Sequence, residues 1–503
     1  MWIRPPFFAL LVALSSSVSA AEPASASLLT FAGCDPTGIA DSTTCWQTAV
    51  KSTPHLVVPA GQYKISSPIN ITSKIWIDAP WGQATILLAT QNQNGLVIGD
   101  GTNVTRNALY NTTIDGISFN PAPGVSAFTS GSAIYLNYVS YVNLRNINVY
   151  GSDGSSTILY NGITAYKAME FNITYSRFSY LNGIGVNAYG ATGWANATSD
   201  GRIDFDEFTN IAGDAIYLGL NAFGNTINSP VIYQSTGTMI HIDVTTSPPT
   251  SSNIFIHQPD LEIDTNGEIG IHFTNGNFLQ IVGGWIGGNA TTSGVDESSS
   301  ASGLHLHGVL INAGASVTLN GASNTIVGNQ IVGDNATGSS GLTLNSGAVN
   351  TVVTGNRIAQ WPTNGIHFNG NPVNCTLSGN IFKSNGTDVA GWTGGVVGTS
   401  PIISGSASDK SATITPSASI TLSPGKAFYV LRGSSTAISN MTVLGQGYRV
   451  TLQAQDAEGD TVSNGSGPGG ILLKNSPTTI PQYHTMSFVC DGNKNWFEDG
   501  RNF

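Results

Sequence analysis

Along most of the chain, apolar and polar residues alternate in short bursts, each entered through a small or polar residue. One five-residue phrase recurs as GLVIG at 95, AIYLN at 133, GITAY at 162, GIGVN at 183, AIYLG at 215, MIHID at 239, GIHFT at 270, GLHLH at 303, GLTLN at 341 and GIHFN at 365. A second alternating phrase follows most of them, as in NTIVGNQIVGD (324–334), NTVVTGNRIAQ (350–360) and NCTLSGNIFKS (374–384). Period-two alternation is that of a half-buried strand, and Gly and Asn between bursts are turn residues. Two or three short strands per repeat, with phrase starts 21 to 38 residues apart, predict the coils of a parallel β-solenoid. One coil cannot bury its apolar face, whereas a stack of ten or more can.

Within each phrase the second and fourth positions face the core, so the third and fifth face outward. The third reads Val97, Tyr135, Thr164, Gly185, Tyr217, His241, His272, His305, Thr343, His367, and the fifth includes Tyr166, Asp243 and His307. Eight histidines in the chain would place about 0.3 on twenty such positions by chance, and five are there. At about 4.8 Å between stacked strands, Tyr217, His241, His272 and His305 are expected to form an outward stripe with Asp243 and His307 beside it. Such a stripe is either a sugar-gripping surface or ordinary stacking on a solvated sheet. The residue before each phrase, Asp214 and Asn161 among them, is expected to form a polar ladder at the turn.

Composition supports strands over helix: charged residues are 9% and Gly is 60 of 503. From about residue 396 the Gly/Asn grammar gives way to longer alternations, such as YRVTLQAQDAEGD and MSFVCDGNKNWFEDG, which predict a separate antiparallel β-domain over 396–503 that caps the stack. A formal charge of -11 argues against nucleic acid as a partner and against a strongly basic groove for polyuronates; uncharged or weakly acidic ligands fit better. Residues 1–20 carry Arg4, an apolar stretch from Phe7 to Leu14 and small residues at Val18 and Ala20. They read as a secretory signal, so the chain is expected to be extracellular, with no membrane span. In that compartment Cys34 and Cys45 are expected to clip a short loop, and Cys375 and Cys490 either pair or stay free. Eleven sequons, those at Asn289 and Asn335 included, are glycan acceptors only in a eukaryotic secretory pathway.

The stretch FAGCDPTGIADSTTCWQTAV (31–50) followed by LVVPAGQYKI (56–65) resembles the entry sequence of the pectate-lyase-like superfamily, which includes rhamnogalacturonase/epimerase-like proteins, glycoside hydrolase family 28-related proteins and phage tailspikes. Asp35, Gly38, Asp41, Gln47 and Ala49 match its capping-helix pattern, and Pro59, Gly61 and Tyr63 match the turn into the first coil. The resemblance implies an N-terminal cap with a short helix over 21–60, a right-handed parallel β-helix over 61–395 and a polysaccharide as substrate or ligand. It also implies a homotrimer if the chain assembles as tailspikes do. The family 28 catalytic motifs are incomplete, since NIAGDAIYL (210–218) keeps one acid, Asp214, and GRIDFDEF (201–208) has no G-H-G nearby.

Hydrolysis needs two carboxylates flanking the scissile bond, and Asp243, Asp260, Glu262 and Asp264 are candidates, with Asp204, Asp206 and Glu207 a second group. β-Elimination needs a base beside a uronate carboxylate and a group that neutralises it; His241, His272 or Tyr217 suit the first role, and Asn, His, Lys167, Arg145 or Arg177 the second. Tyr217, Tyr135, Tyr166, His305 and His307 are the expected sugar-binding side chains. No cofactor is called for, and the resemblance to calcium-dependent pectate lyases leaves Ca2+ open. A metal held by His272, His305 and His307 is the remaining reading of the histidines. The leading expectation is a secreted polysaccharide-degrading hydrolase or lyase; a non-catalytic carbohydrate-binding or envelope-associated protein is the alternative.

Overall fold

The computed structural model describes residues 24–503 apart from 153, 155, 246–251, 264–267, 289–292, 335–339, 371, 392–401, 405–406, 409–411, 423–427, 434–435, 444–447, 458 and 492–493. Residues 1–20, expected to be a secretory signal, Asp264 and the sequons at Asn289 and Asn335 lie outside the described residues. The chain is a right-handed parallel β-helix. Each coil visits three sheets in the same order, here called first, second and third. The second sheet alone stacks 15 strands. In the coil that begins at Thr226, for example, Thr226–Asn228 lies in the first sheet, Val231–Ser235 in the second and Thr238–Asp243 in the third. The alternation read from sequence holds: Ile216, Leu218, Ile240, Ile242, Ile271 and Phe273 are fully buried, while Tyr217, His241 and His272 between them face outward.

Strand Ile269–Val282 departs from this plan. It runs without a break through the third sheet, where it pairs with Thr238–Asp243, and into the first, where it pairs with Ile254–His257. This continuity joins the first and third sheets into one hydrogen-bonded array of 27 strands.

The corner from the first sheet to the second is made by one residue in the left-handed region. From Gly116 onward it is Gly116, Asn146, Tyr175, Phe205, Ser229, Gln258, Gly283, Gly308, Gly328, Gly355 and Gly379, with φ between 46° and 81°. An L-residue with a Cβ costs roughly 1 kcal/mol there, which explains the glycines and the short polar residues. In later coils the next residue is a buried asparagine. Asn329, Asn356 and Asn380 stack so that the amide oxygens of Asn356 and Asn380 each receive the backbone N–H and the Nδ2 of the asparagine one coil before, at 2.9–3.0 Å. The recurring Gly-Asn pairs of the sequence are thus a turn residue followed by a ladder rung.

Helix Thr43–Ser52 covers the first coils with Cys45, Trp46, Ala49 and Val50 buried. Cys34 and Cys45 form a disulfide with Cα atoms 5.3 Å apart, and Cys375 and Cys490 are buried. At the other end, Ile402–Ser404 and Ala407–Ser408 still pair with solenoid strands, beyond residue 395. The six-stranded sheet that follows, between Ala412 and Arg501, mixes parallel and antiparallel pairs. Among the described residues no helix is long and apolar enough to cross a membrane.

Replacing Asn356 by Ala removes the partner of one Nδ2 hydrogen and of the backbone N–H of Asn329 and of the carbonyl of Ile326, and is expected to cost about 2–4 kcal/mol. Asn369→Ala, which removes an exposed rung over Asn345, should stay within about 0.5 kcal/mol. Denaturant midpoints of the two variants check the contrast.

Candidate functional site

The third sheet brings together Tyr217, His241, His272 and Asp243. Tyr217 pairs with His241, and His241 with His272, on successive strands. The two imidazoles stack at 5.2 Å, with planes 10° apart, and the Tyr217 ring meets His241 edge-on at 5.1 Å. Tyr135 and Tyr166 lie on the same sheet, where Tyr166 contacts Tyr189 at 5.1 Å and the Lys167 ammonium stands 5.0 Å from its ring.

The stripe does not continue into His305 and His307. Strand Ala301–His307 belongs to the first sheet, where His305 lies between Gln280 and Thr325, and His307 between Val282 and Val327. The unbroken strand Ile269–Val282 uses both of its halves as rungs, so GLHLH follows its second half and not GIHFT. The rung that follows His272 is Ser293–Glu297, with Asp296 beside the histidine. The phrase GVDES at 294 carries the same small-apolar-polar signature and was the available signal. A metal shared by His272, His305 and His307 is therefore excluded, since they stand on different sheets. Burial and the neighbouring His307 lower the His305 pKa, and its ring packs 5.0 Å from Phe278.

Asp260 and Glu262 lie on the second sheet, paired with Val231 and Tyr233 on one side and Trp285 and Gly287 on the other. They face away from the histidines and cannot flank a bond together with Asp243. Asp204 is on the first sheet, Glu207 on the second, and Asp206 is buried at the corner between them, its pKa raised by desolvation. Among the cations, Arg145 is on the first sheet and Arg177 on the second, which leaves Lys167 at the border of the third.

Asp214 has two tasks. Its Oδ1 accepts from the Thr238 backbone at 2.8 Å, the expected ladder contact, and its Oδ2 meets His241 Nδ1 at 2.9 Å. A carboxylate accepts, so Nδ1 carries a proton, and Nε2 lies 2.8 Å from Thr274 Oγ1. One coil on, His272 Nε2 lies 3.2 Å from Ser298 Oγ and 3.4 Å from Asp296 Oδ2. Burial, with His241 alongside, lowers the His272 pKa against the pull of Asp296, and burial raises that of Asp296. The Tyr217 hydroxyl donates to Asp243 Oδ2 at 3.1 Å, and Asn275 donates to the other oxygen. Burial, with the Asp243 charge beside it, pushes Tyr217 up to about 12. The face therefore offers an imidazole oriented by a carboxylate, and one strand away a phenol that keeps its proton at neutral pH. Side chains of these two kinds can remove and supply a proton.

Fold and site together define a parallel β-helix protein with an acid–base cluster on one outer sheet. No family model matches the sequence, and no curated protein matches it. The structure is similar to the A-module of mannuronan C-5 epimerase AlgE6 of Azotobacter vinelandii, at 16% identity over 76% of this chain and 99% of that one, with a TM-score of 0.50. It is similar to the A-module of the AlgE4 epimerase of the same organism at 14% identity, over 75% and 100% of the two chains, also with a TM-score of 0.50. Tailspike protein 3 of bacteriophage CBA120 matches over 95% of this chain and 69% of its own at 14% identity, with a TM-score of 0.45. At these identities the likeness is one of fold.

Glu297, next to Asp296 but turned inward, is buried, and desolvation raises its pKa to about 7. Its folded pKa exceeds the unfolded one, so the protein is expected to lose stability as pH rises from about 4.5 to 7, by roughly 2–3 kcal/mol. Glu297→Gln should remove that slope, read as unfolding midpoints across the pH range.

Proposed function

We propose that the protein is a carbohydrate-active enzyme that cleaves a uronate-containing polysaccharide by β-elimination on the third sheet. The observation that carries this reading is the Asp214–His241 couple facing Tyr217, with the imidazole proton held on the nitrogen turned to Asp214. His241 Nε2 takes the proton from the carbon next to the uronate carboxyl group. The electron pair forms the ring double bond, the glycosidic C–O bond breaks, and the leaving oxygen receives the Tyr217 phenol proton. Solvent then reprotonates Tyr217 and takes the proton from His241.

Asp214 orients the base, Asp243 and Asn275 hold the phenol, and His272 with Asp296 lines the next position along the chain. Tyr135, Tyr166 and Tyr189 extend the surface toward Lys167, the nearest cation. Three carboxylates and no cation inside the cluster suit a uronate whose charge is masked by an ester or diluted among neutral sugars, in line with the acidic chain. Hydrolysis by Asp243 with Asp260 or Glu262 is not supported, because these acids stand on different sheets. The extracellular setting expected from the leader accords with such a substrate.

Incubation with esterified and de-esterified uronate polysaccharides, followed by unsaturated-uronate absorbance and reducing ends together, tests the reading. Both signals should rise, and Tyr217→Phe and His241→Gln should each lower the rate by about 10²–10⁴-fold. Reducing ends without absorbance would mean hydrolysis, and neither signal a non-catalytic protein.

A further inference from the structure

On the opposite side of the solenoid from the tyrosines and histidines of the third sheet, the corner between the first and second sheets carries an open cavity of about 300 Å³. Trp81, Asn146, Tyr175, Arg177, Phe205 and Glu207 line it. Nothing in the acid–base chemistry above uses these residues.

Two features set the place apart. From Gly116 onward, among the described residues, the other coils make this corner with Gly, Asn, Ser or Gln, whereas two consecutive coils use Tyr175 and Phe205 at φ 53° and 60°. The fold asks for no bulk here, since a Cβ added at Gly308 or Gly328 would meet nothing within 4 Å. Large rings in a left-handed conformation carry a conformational cost that glycine avoids. Such strain points to a function served by the rings themselves. Second, the rings are half open to solvent, at 56% and 53% exposure, with Trp81 at 57%. Tyr175 and Phe205 stack at 5.3 Å with planes 7° apart, and Arg177 reaches over the Trp81 ring at 6.0 Å.

We propose that this corner is a second carbohydrate-binding site, which holds a neutral sugar unit of a glycan between Trp81 and the Tyr175–Phe205 stack. Aromatic faces take the apolar C–H face of a sugar ring, and fixed rings lose little freedom on binding. Asn146, Arg177 and Glu207 supply donors and acceptors for the hydroxyls. Arg177 and Glu207 pair at 2.9 Å and so cancel as charges. A cavity with no net charge on a chain of charge -11 disfavours phosphate, nucleic acid and an anionic membrane surface. The site anchors the glycan; the chemistry happens on another face.

The test uses the double variant Tyr175→Gly/Phe205→Gly, which installs the residue that six other coils use at this corner, and Trp81→Ala beside it. Retardation in native gels cast with soluble xylan, glucomannan, mixed-linkage β-glucan or dextran measures binding. The wild type should be retarded by at least one of them, and the double variant should bind about tenfold or more weakly, with an unfolding midpoint no lower than that of the wild type and unchanged action on short oligosaccharides. Trp81→Ala should weaken retention in the same gels. Equal retention of wild type and double variant would overturn the proposal. So would a wild type that none of the neutral glycans retards, or one that binds an aromatic-rich peptide or single-stranded nucleic acid in their place.

Discussion

Each coil has one residue in which to pass from the first sheet to the second while its N–H stays bonded to the coil that follows. Tyr175 donates to Asp204 O at 3.1 Å and Phe205 to Asn228 O at 2.8 Å, so the corner is at once a turn and a rung. That double duty fixes the left-handed φ, and with it the register of all three sheets. Because register flips every side chain between core and solvent if it slips by one residue, the alignment of Tyr217, His241 and His272 on one face is a consequence of corners far from them.

The acid–base cluster inherits its precision from the same source. Asp214 is a ladder residue by origin, bonded to the backbone of the coil above, and that bond leaves its second oxygen pointing along the stack at His241. The orienting group of the cluster is thus part of the scaffold, and the imidazole needs no dedicated loop to hold it. Asp243 is placed differently, where a register shift between its strand and Ile269–Val282 sets Asn275 beside it.

The fold was legible because its signal is repeated: alternation, Gly-Asn corners and polar phrase starts recur in coil after coil, and each copy corroborates the others. The cluster was legible only in part. Tyr217, His241, His272 and Asp243 follow from period-two alternation, whereas His305 and His307 were carried onto the wrong sheet by the absence of a turn signal in a 14-residue strand. Asp260 and Glu262 show the same limit, since alternation says that a residue faces out but not over which of three sheets. Asp296 was hidden in the short phrase GVDES, and the role of Asp214 depended on a contact 27 residues away in sequence. The aromatic corner was invisible until φ was known, because Tyr175 and Phe205 read in sequence as ordinary strand residues.

The unbroken strand Ile269–Val282 has a kinetic meaning. It is hydrogen-bonded to Thr238–Asp243, Ile254–His257, Ser293–Glu297 and Ala301–His307, so opening it tears two sheets at once. A stack of coils frays from its ends inward, and this tie sits in the middle of the stack. His272 therefore rides on the segment that thermal breathing and proteases would reach last, and the cluster around it keeps its shape after either end of the rod has begun to peel.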